Sequence, residues 1–337
     1  MIVQLSAATA ASTTVLATPI LIRLLNKSNV VDEVTERSSH AQPVPRGAGL
    51  GIVLGVAVAA GVSSGMPGAF SNIAAPVVAV TLFALLGFVD DLRSIAAGQR
   101  LIGQSVLAAS VIGALGPAPI TGLFAVDAVL STVWIVGYVN VFNFMDGING
   151  ISGATAALCG ASLGGAALLW GEPTLAVLPL AVTASACGFL PFNFPNAKAF
   201  LGDVGSYALG AGLAISLLSA AQAGVPLYPM ILPFALYMAD TTWTLWRRYR
   251  RGARLMASHR EHTYQRLANE LQLGHGRVTL IVMCCTSVLG GIGFGVQALG
   301  GTLLWQAAGS LAALILMGSY LILPAVLFRI FDYQKAA

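Results

Sequence analysis

Charge is what this sequence has least of. Asp, Glu, Lys and Arg make up 9% of its 337 residues, against 57% hydrophobic ones, whereas a soluble globular chain carries roughly 25% charge. A soluble domain is thereby excluded, and nothing points to nucleic acid as a partner. Strands of alternating polarity are also missing, which excludes a membrane barrel and leaves helices to satisfy the backbone in lipid. The four cysteines (Cys159, Cys187, Cys284, Cys285) fall inside apolar runs and form no C-x-x-C, so they read as thiols buried among helices rather than metal ligands or disulfides. No basic residue precedes the apolar stretch Ala7–Leu25, so it reads as a retained span and not as a cleavable signal. There is no low-complexity linker. No internal repeat is visible either, which argues against a secondary transporter built from inverted repeats.

What is there is a succession of apolar runs. A crossing helix needs about 20 such residues, and the runs fall at 3–25, 47–64, 74–90, 101–116, 120–139, 150–170, 174–190, 206–223, 227–246, 278–299 and 302–328. The expectation is an all-α polytopic integral membrane protein with about eleven transmembrane helices. Alternating the connections puts all 17 Lys and Arg residues on one side, in or beside 23–46, 91–100, 193–205 and 247–277 or in the tail. Positive-inside bias makes that side cytoplasmic, with the N-terminus outside and the C-terminus inside. Gly51 and Gly55 form a small-xxx-small pair that lets helices approach closely.

The polar residues collect on the same side. In VNVFNFMDGINGISG (Val139–Gly153), Asn140, Asn143, Asp146 and Asn149 recur at three-residue steps, which are surface neighbours on a helix. Amides and a carboxylate at the mouth of an apolar segment suit a hydrated cation or a sugar-phosphate; the plainer reading is a polar helix end with a Gly-rich stop. Asp90-Asp91 closes a span and repels itself unless a cation, an arginine or a proton compensates; Arg93 is the near counter-charge. Asp203 lies between Gly202 and Gly205 just before a span. It can be a hard oxygen ligand of the kind Mg²⁺ prefers, or an N-cap. The glycines would let a ligand approach, and the helix start offers N–H groups to an anion.

Between 247 and 277 runs an Arg-rich stretch of the kind that attracts anionic lipid. Its distal part, His259-Arg260-Glu261-His262, sets two imidazoles three residues apart. A zinc protease needs four, and phosphate recognition is the better fit. Asp240, inside an apolar run, is costly enough to suggest function or a pair with Arg247 or Arg248. His40 sits in a turn stiffened by Pro43 and Pro45. Asp127 and Glu172 fall on the opposite side and are assigned no role.

Taken together these clusters resemble the polyprenyl-phosphate N-acetylhexosamine-1-phosphate transferases (glycosyl transferase family 4), which include the phospho-MurNAc-pentapeptide translocase. In order they are R-x-x-H-x-x-P-x-P-x-G at Arg37–Gly47, the Asp-Asp doublet, N-x-x-N-x-x-D-G at Asn140–Gly147, F-x-G-D-x-G-S at Phe200–Ser206 and H-R-x-H-x-Y-Q-R at His259–Arg266. The last is similar to the O-antigen-initiating branch.

The resemblance implies one transmembrane transferase domain over 1–337, with cytoplasmic loops 26–46, 91–100, 140–150, 193–205 and 247–277 forming the active site. A UDP-linked N-acetyl sugar would give its sugar-1-phosphate to undecaprenyl phosphate, releasing UMP, with Mg²⁺ present or Mn²⁺ in its place. Asp203 would be the principal metal ligand, with Asn143 beside it. Asp146, Asn149, Asn193 and Phe200 would line the nucleotide site, Phe200 stacking on uracil. Asp90 and Asp91 would sit by the lipid phosphate, positioning it or taking its last proton. His259, Arg260 and His262 would bind the donor pyrophosphate and sugar. The catalytic set is thus Asp90, Asp91, Asp146, Asp203, His259 and His262, with Asn140 and His40 joining the substrate-binding residues. The implied partners are the donor, the acceptor, the lipid bilayer and room for a homodimer. Three features depart from other branches: Asn149 stands where many members have Asp, Arg93-Ser94 follows the doublet without a further acid or lysine, and a run of three histidines is absent. The competing classes are an ion-coupled transporter and a non-catalytic lipid-binding scaffold.

Overall fold

Prolines and glycines partition the apolar sequence into helices. The structure, a computed structural model, describes residues 1–32, 43–255 and 259–336. In chain order the first elements are α1 (Ile2–Lys27), the two-residue strands β1 (Val31–Asp32) and β2 (Val44–Pro45), α2 (Leu50–Val62), α3 (Ala75–Arg93), α4 (Ala97–Leu115) and α5 (Phe124–Phe144). Then come α6 (Ile151–Leu169), α7 (Pro173–Asn193), α8 (Gly202–Gln222), α9 (Leu227–Ile231) and α10 (Ala235–Arg250). A short α11 (Thr263–Gln265) precedes α12 (Gly274–Ala298) and α13 (Leu303–Ala336). The fold is an all-α, multi-pass membrane architecture: among the described residues, 8 helices are long and apolar enough to cross a bilayer.

Each of the apolar runs becomes helical, but not each becomes a long straight span. α2 has only 13 residues. The run 227–246, expected as one helix, is broken into α9, a tight turn at Leu232–Phe234 and α10. Pro229 and Pro233 explain the break, since proline removes an amide donor and clashes with the carbonyl a turn earlier.

At the centre lies α8, whose Gly, Ala and Ser residues are buried almost throughout. It packs against α3, α5 and α7. Small residues permit this closeness: a Cβ on Gly210 would come within 3.0 Å of the Val139 Cα. Without a hydrophobic force between helices in lipid, such packing holds the bundle together. The Gly51–Gly55 pair behaves as expected, since added Cβ atoms there would strike Thr18 and Thr14 of α1. Of the cysteines only Cys159 is buried, while Cys187 and Cys284 face outward, and all four are free. That corrects the expectation of four buried thiols. Asp127 caps the turn before α5, accepting from the Thr121 amide at 2.7 Å and hydroxyl at 2.8 Å.

Candidate active site

Consecutive helical residues point about 100° apart, so the end of α3 sends its two carboxylates in different directions. Asp90 turns inward, where it accepts from Tyr207 Oη at 3.0 Å, Arg100 Nη1 at 3.1 Å and the Ile95 amide at 2.8 Å. Asp91 turns toward α8 and accepts from the amides of Asp203 at 2.9 Å and Val204 at 3.0 Å. The free N–H groups expected to receive a ligand anion are therefore occupied by the protein's own carboxylate, a favourable place for negative charge. The close approach allowed by Gly202 is likewise used internally: at φ +73° it leaves room for Asp91 Oδ2 and Gly47. Self-repulsion of the doublet is relieved by Arg46 and Arg100, not by Arg93, which is exposed.

Arg46 ties this network together. Its Nε lies 2.7 Å from Asp91 Oδ1 and its Nη2 lies 3.0 Å from Asp203 Oδ2. Burial works against its charge, but Asp203 and then Asp91 hold the guanidinium more firmly protonated than usual. The backbone sets it in place. Arg46 pairs in parallel with Phe200, whose amide donates to the Pro45 carbonyl at 2.8 Å. On the other side of Asp203, Asn143 Nδ2 donates to Oδ1 at 2.8 Å and to Ser206 Oγ at 3.0 Å. Of the three network carboxylates, Asp203 is 15% exposed, Asp90 3% and Asp91 0%, so Asp203 is the one open to a ligand.

The row of amides is not one helical face. α5 stops at Phe144, and Gly150 takes φ +80°, so Asn140 and Asn143 are helical while Asp146 and Asn149 lie in the turn. Asn140 Nδ2 is engaged with Gln104 Oε1 at 2.6 Å and the Val136 carbonyl at 2.8 Å. Asp146 is half-buried and its carboxyl is pushed up to about 7, by burial first, with the Asp203 charge adding to it and the Ser152 hydroxyl opposing. Asn149 donates through Nδ2 to the Pro195 carbonyl at 2.9 Å and through its amide to His275 Nδ1 at 3.3 Å. Asn193 is buried and both ends of its amide are used: Oδ1 accepts from the Gly150 amide at 2.7 Å and Nδ2 donates to the Ala199 carbonyl at 2.9 Å. It braces the turn. Phe200 is half-buried beside this loop.

Asp240 holds the histidine segment. Fully buried in α10, it accepts from the Thr263 amide at 2.9 Å, the Tyr264 amide at 3.3 Å and Tyr320 Oη at 2.8 Å, with His262 Nδ1 at 3.3 Å. It is therefore no partner of Arg247 or Arg248. Arg248 and Arg251 instead pair with Glu261, Arg248 at 2.6 Å. Burial opposes the Glu261 charge, but those arginines keep its carboxyl below the usual range. His259 and His262 do meet, stacked with centroids 5.0 Å apart, although the helix begins only at Thr263. His259 is pushed down to about 4, by burial first and then by His262 and Arg248. The shift favours the neutral imidazole at His259. Arg260 is exposed. His40 lies outside the described residues.

These clusters are joined through the end of α5. Asn143 bonds Asp203, and the next residue, Phe144, accepts from Tyr264 Oη at 2.9 Å through its carbonyl. Reasoning from sequence missed Arg46, which reaches Asp203 across 157 residues, and also Arg100 and Glu261, whose partners lie only 10 to 13 residues away across a turn, and gave Asp240 only a supporting part. Arg46 sat inside a recognised motif, between Pro45 and Gly47, and that was the signal available.

Among the described residues no group of three or more His, Cys, Asp or Glu side chains could hold a metal. A divalent cation at Asp203 and Asn143 would take its other oxygens from substrate phosphates and water, an arrangement that suits Mg²⁺. The partial exposure of Asp203 leaves it within reach of such an ion, which would have to compete with Arg46 Nη2 on Oδ2 and with Asn143 Nδ2 on Oδ1.

Comparison with known proteins gives this geometry its context. Residues 73–221 match the model for glycosyl transferase family 4, a stretch that holds the doublet, Asn143, Asp146, Asn193 and Asp203. A probable undecaprenyl-phosphate N-acetylglucosaminyl 1-phosphate transferase of Bacillus subtilis is 29% identical, over 80% of this chain and 78% of its own. A decaprenyl-phosphate N-acetylglucosaminephosphotransferase of Mycolicibacterium smegmatis is 31% identical, over 83% of this chain and 79% of its own. A phospho-N-acetylmuramoyl-pentapeptide-transferase of Chlorobaculum parvum is 28% identical, over 74% and 80%. Since the likeness to such relatives runs through most of both sequences and takes in the carboxylate network, the chain belongs to glycosyl transferase family 4.

Proposed function

We propose that this protein transfers an N-acetyl-sugar-1-phosphate from a UDP-linked donor to undecaprenyl or another polyprenyl phosphate. An acceptor phosphate oxygen bonds to the sugar-bearing phosphorus, the bond from that phosphorus to UMP breaks, and a lipid-linked pyrophosphoryl sugar results. Such a product starts O-antigen or other cell-envelope glycans. The observation that carries this reading is the convergence of Arg46, Asp91, Asn143 and Asp203 in one network at one end of the bundle. The named activities of the family relatives support it.

Phosphoryl transfer needs charge neutralisation and in-line positioning more than covalent chemistry. Arg46 and Arg100 are part-exposed guanidinium groups beside the carboxylates, suited to the donor and acceptor phosphates. Asp203 and Asn143 are the residues that would hold a divalent cation, and such an ion would add to the neutralisation of the phosphates. Asp90 and Asp91 are turned into the protein, so we assign them to positioning Arg100, Tyr207, Arg46 and the start of α8. This moves them from the reacting atoms to the frame around them. A phosphate monoester has a second pKa of about 6, so the acceptor is ionised at neutral pH without a strong base. We assign Asp146, Asn149 and Phe200 to the nucleotide and His259 and Arg260 to the sugar and pyrophosphate, with His262, buried against Asp240, positioning that segment. We propose the cytoplasmic face for the site, because the expected topology collects the Lys and Arg residues on that side.

The test incubates purified protein with undecaprenyl phosphate, Mg²⁺ and a panel of UDP-N-acetyl sugars, following UMP and lipid product by mass. Stoichiometric release of UMP with a lipid pyrophosphoryl sugar is expected. Absence of UMP with every sugar overturns the reading.

A further inference from the structure

Beyond the network lies a second feature, which the proposed reaction does not use. Where α10 ends, Trp246, Arg247, Arg250, Arg251, Glu261 and Arg266 surround a cavity of about 690 Å³ that is also bordered by Glu270, within the range of small-molecule sites, roughly 300–1,000 Å³. Four arginines face two glutamates. Arg251 is spoken for by Glu261, and Arg266 by Glu270 at 3.1 Å. Arg247 and Arg250 make no ion pair among the described residues. Arg247 reaches only the Glu261 carbonyl, at 3.4 Å, and Arg250 lies 5.3 Å from the centroid of the Trp246 ring. Burial, then Arg266 and Arg251, push Arg247 below its usual range, and the opposing charges of Glu261 and Asp240 do not offset them.

The surroundings decide between a lipid and a soluble anion. Trp243 stacks on Trp246 with centroids 5.0 Å apart, and Trp246 and Tyr249 are exposed. Aromatic rings of this kind mark the level of the headgroups; Arg247 follows Trp246 directly and Arg250 lies about one helical turn beyond it. A guanidinium pair at that depth meets a phosphodiester carried by the membrane itself.

We propose that this cavity is a binding site for the headgroup of one anionic phospholipid, with Arg247 and Arg250 on its phosphate and Trp246 against its glycerol and upper chains. The purified full-length protein is placed in phosphatidylcholine nanodiscs with and without phosphatidylglycerol. Trp fluorescence and native mass spectrometry then report the bound lipid. Phosphatidylglycerol should change the wild-type emission and remain bound after phosphatidylcholine is stripped. In R247Q/R250Q the apparent affinity should fall at least about tenfold, while K27Q, at the far end of α1, should leave it unchanged. Equal loss in K27Q would reduce the effect to general surface charge and overturn the site. So would displacement by inorganic phosphate at equal affinity, or a wild-type emission blind to phosphatidylglycerol, a result that needs no variant to fold.

Discussion

At the scale of single residues, exposure separates groups that look alike in sequence. Asp90, Asp91 and Asp203 are all acidic residues at span ends, yet only Asp203 keeps a face toward solvent. D203N should lower turnover by about two to three orders of magnitude, because a charged group at the reacting phosphates is lost. Steady-state kinetics on protein of unchanged melting temperature checks this, and near wild-type turnover would remove the metal assignment. Asp146 makes a different prediction. Its carboxyl is raised to about 7 in the fold, above its unfolded value of about 3.9, so the folded state holds the proton more tightly. Stability is therefore highest below about pH 4 for this group, falls as pH rises through 7, and stays reduced above it. D146N removes that penalty. Its melting temperature should exceed wild type at pH 8 and converge with it near pH 4; a constant difference across that range would contradict the assignment.

At the scale of elements, two junctions carry the site. The first is the start of α8, where Asp91 caps the helix and Gly202 permits the approach. G202A puts a Cβ into a left-handed backbone, 2.6 Å from Asp91 Oδ2 and 2.8 Å from the Gly47 backbone. Strain of each kind is worth about 1–3 kcal/mol, so a loss of roughly 3 kcal/mol is expected in chemical denaturation, and a loss near zero would mean that the junction can relax. The second is the grip of Asp240 on the segment from His262 to Tyr264. D240N keeps the shape but weakens the bonds to two amides and an imidazole. The KM for the UDP-sugar should rise several-fold with little change in that for the polyprenyl phosphate. An acceptor-only defect would dissociate the histidine segment from the donor.

The whole molecule is a bundle around the small-residue helix α8, and its orientation is the test at this scale. With the basic residues all on one side of the expected topology, the N-terminus should react with an impermeant label from outside intact cells, and the C-terminus only after lysis. Both termini on one side would require an even number of crossings. That would revise the reading of the 13-residue helix α2, of α4 and of the broken segment α9–α10.

Composition and periodicity settled much of this protein unaided. Apolar length and the scarcity of charge identify helices in a membrane, because burial in lipid is a property of each segment by itself. Asn143 and Asp203 were legible as polar residues at span ends for the same reason. The partners were not. The bonds from the Asp203 and Val204 amides to Asp91 link positions 112 and 113 residues apart, and Arg46 reaches Asp203 across 157. No local spacing encodes such a meeting. It arises only when α3, α5 and α8 pack against one another, and that packing turned one Asp of the doublet into a helix cap and left Asp203 as the carboxylate open to a ligand.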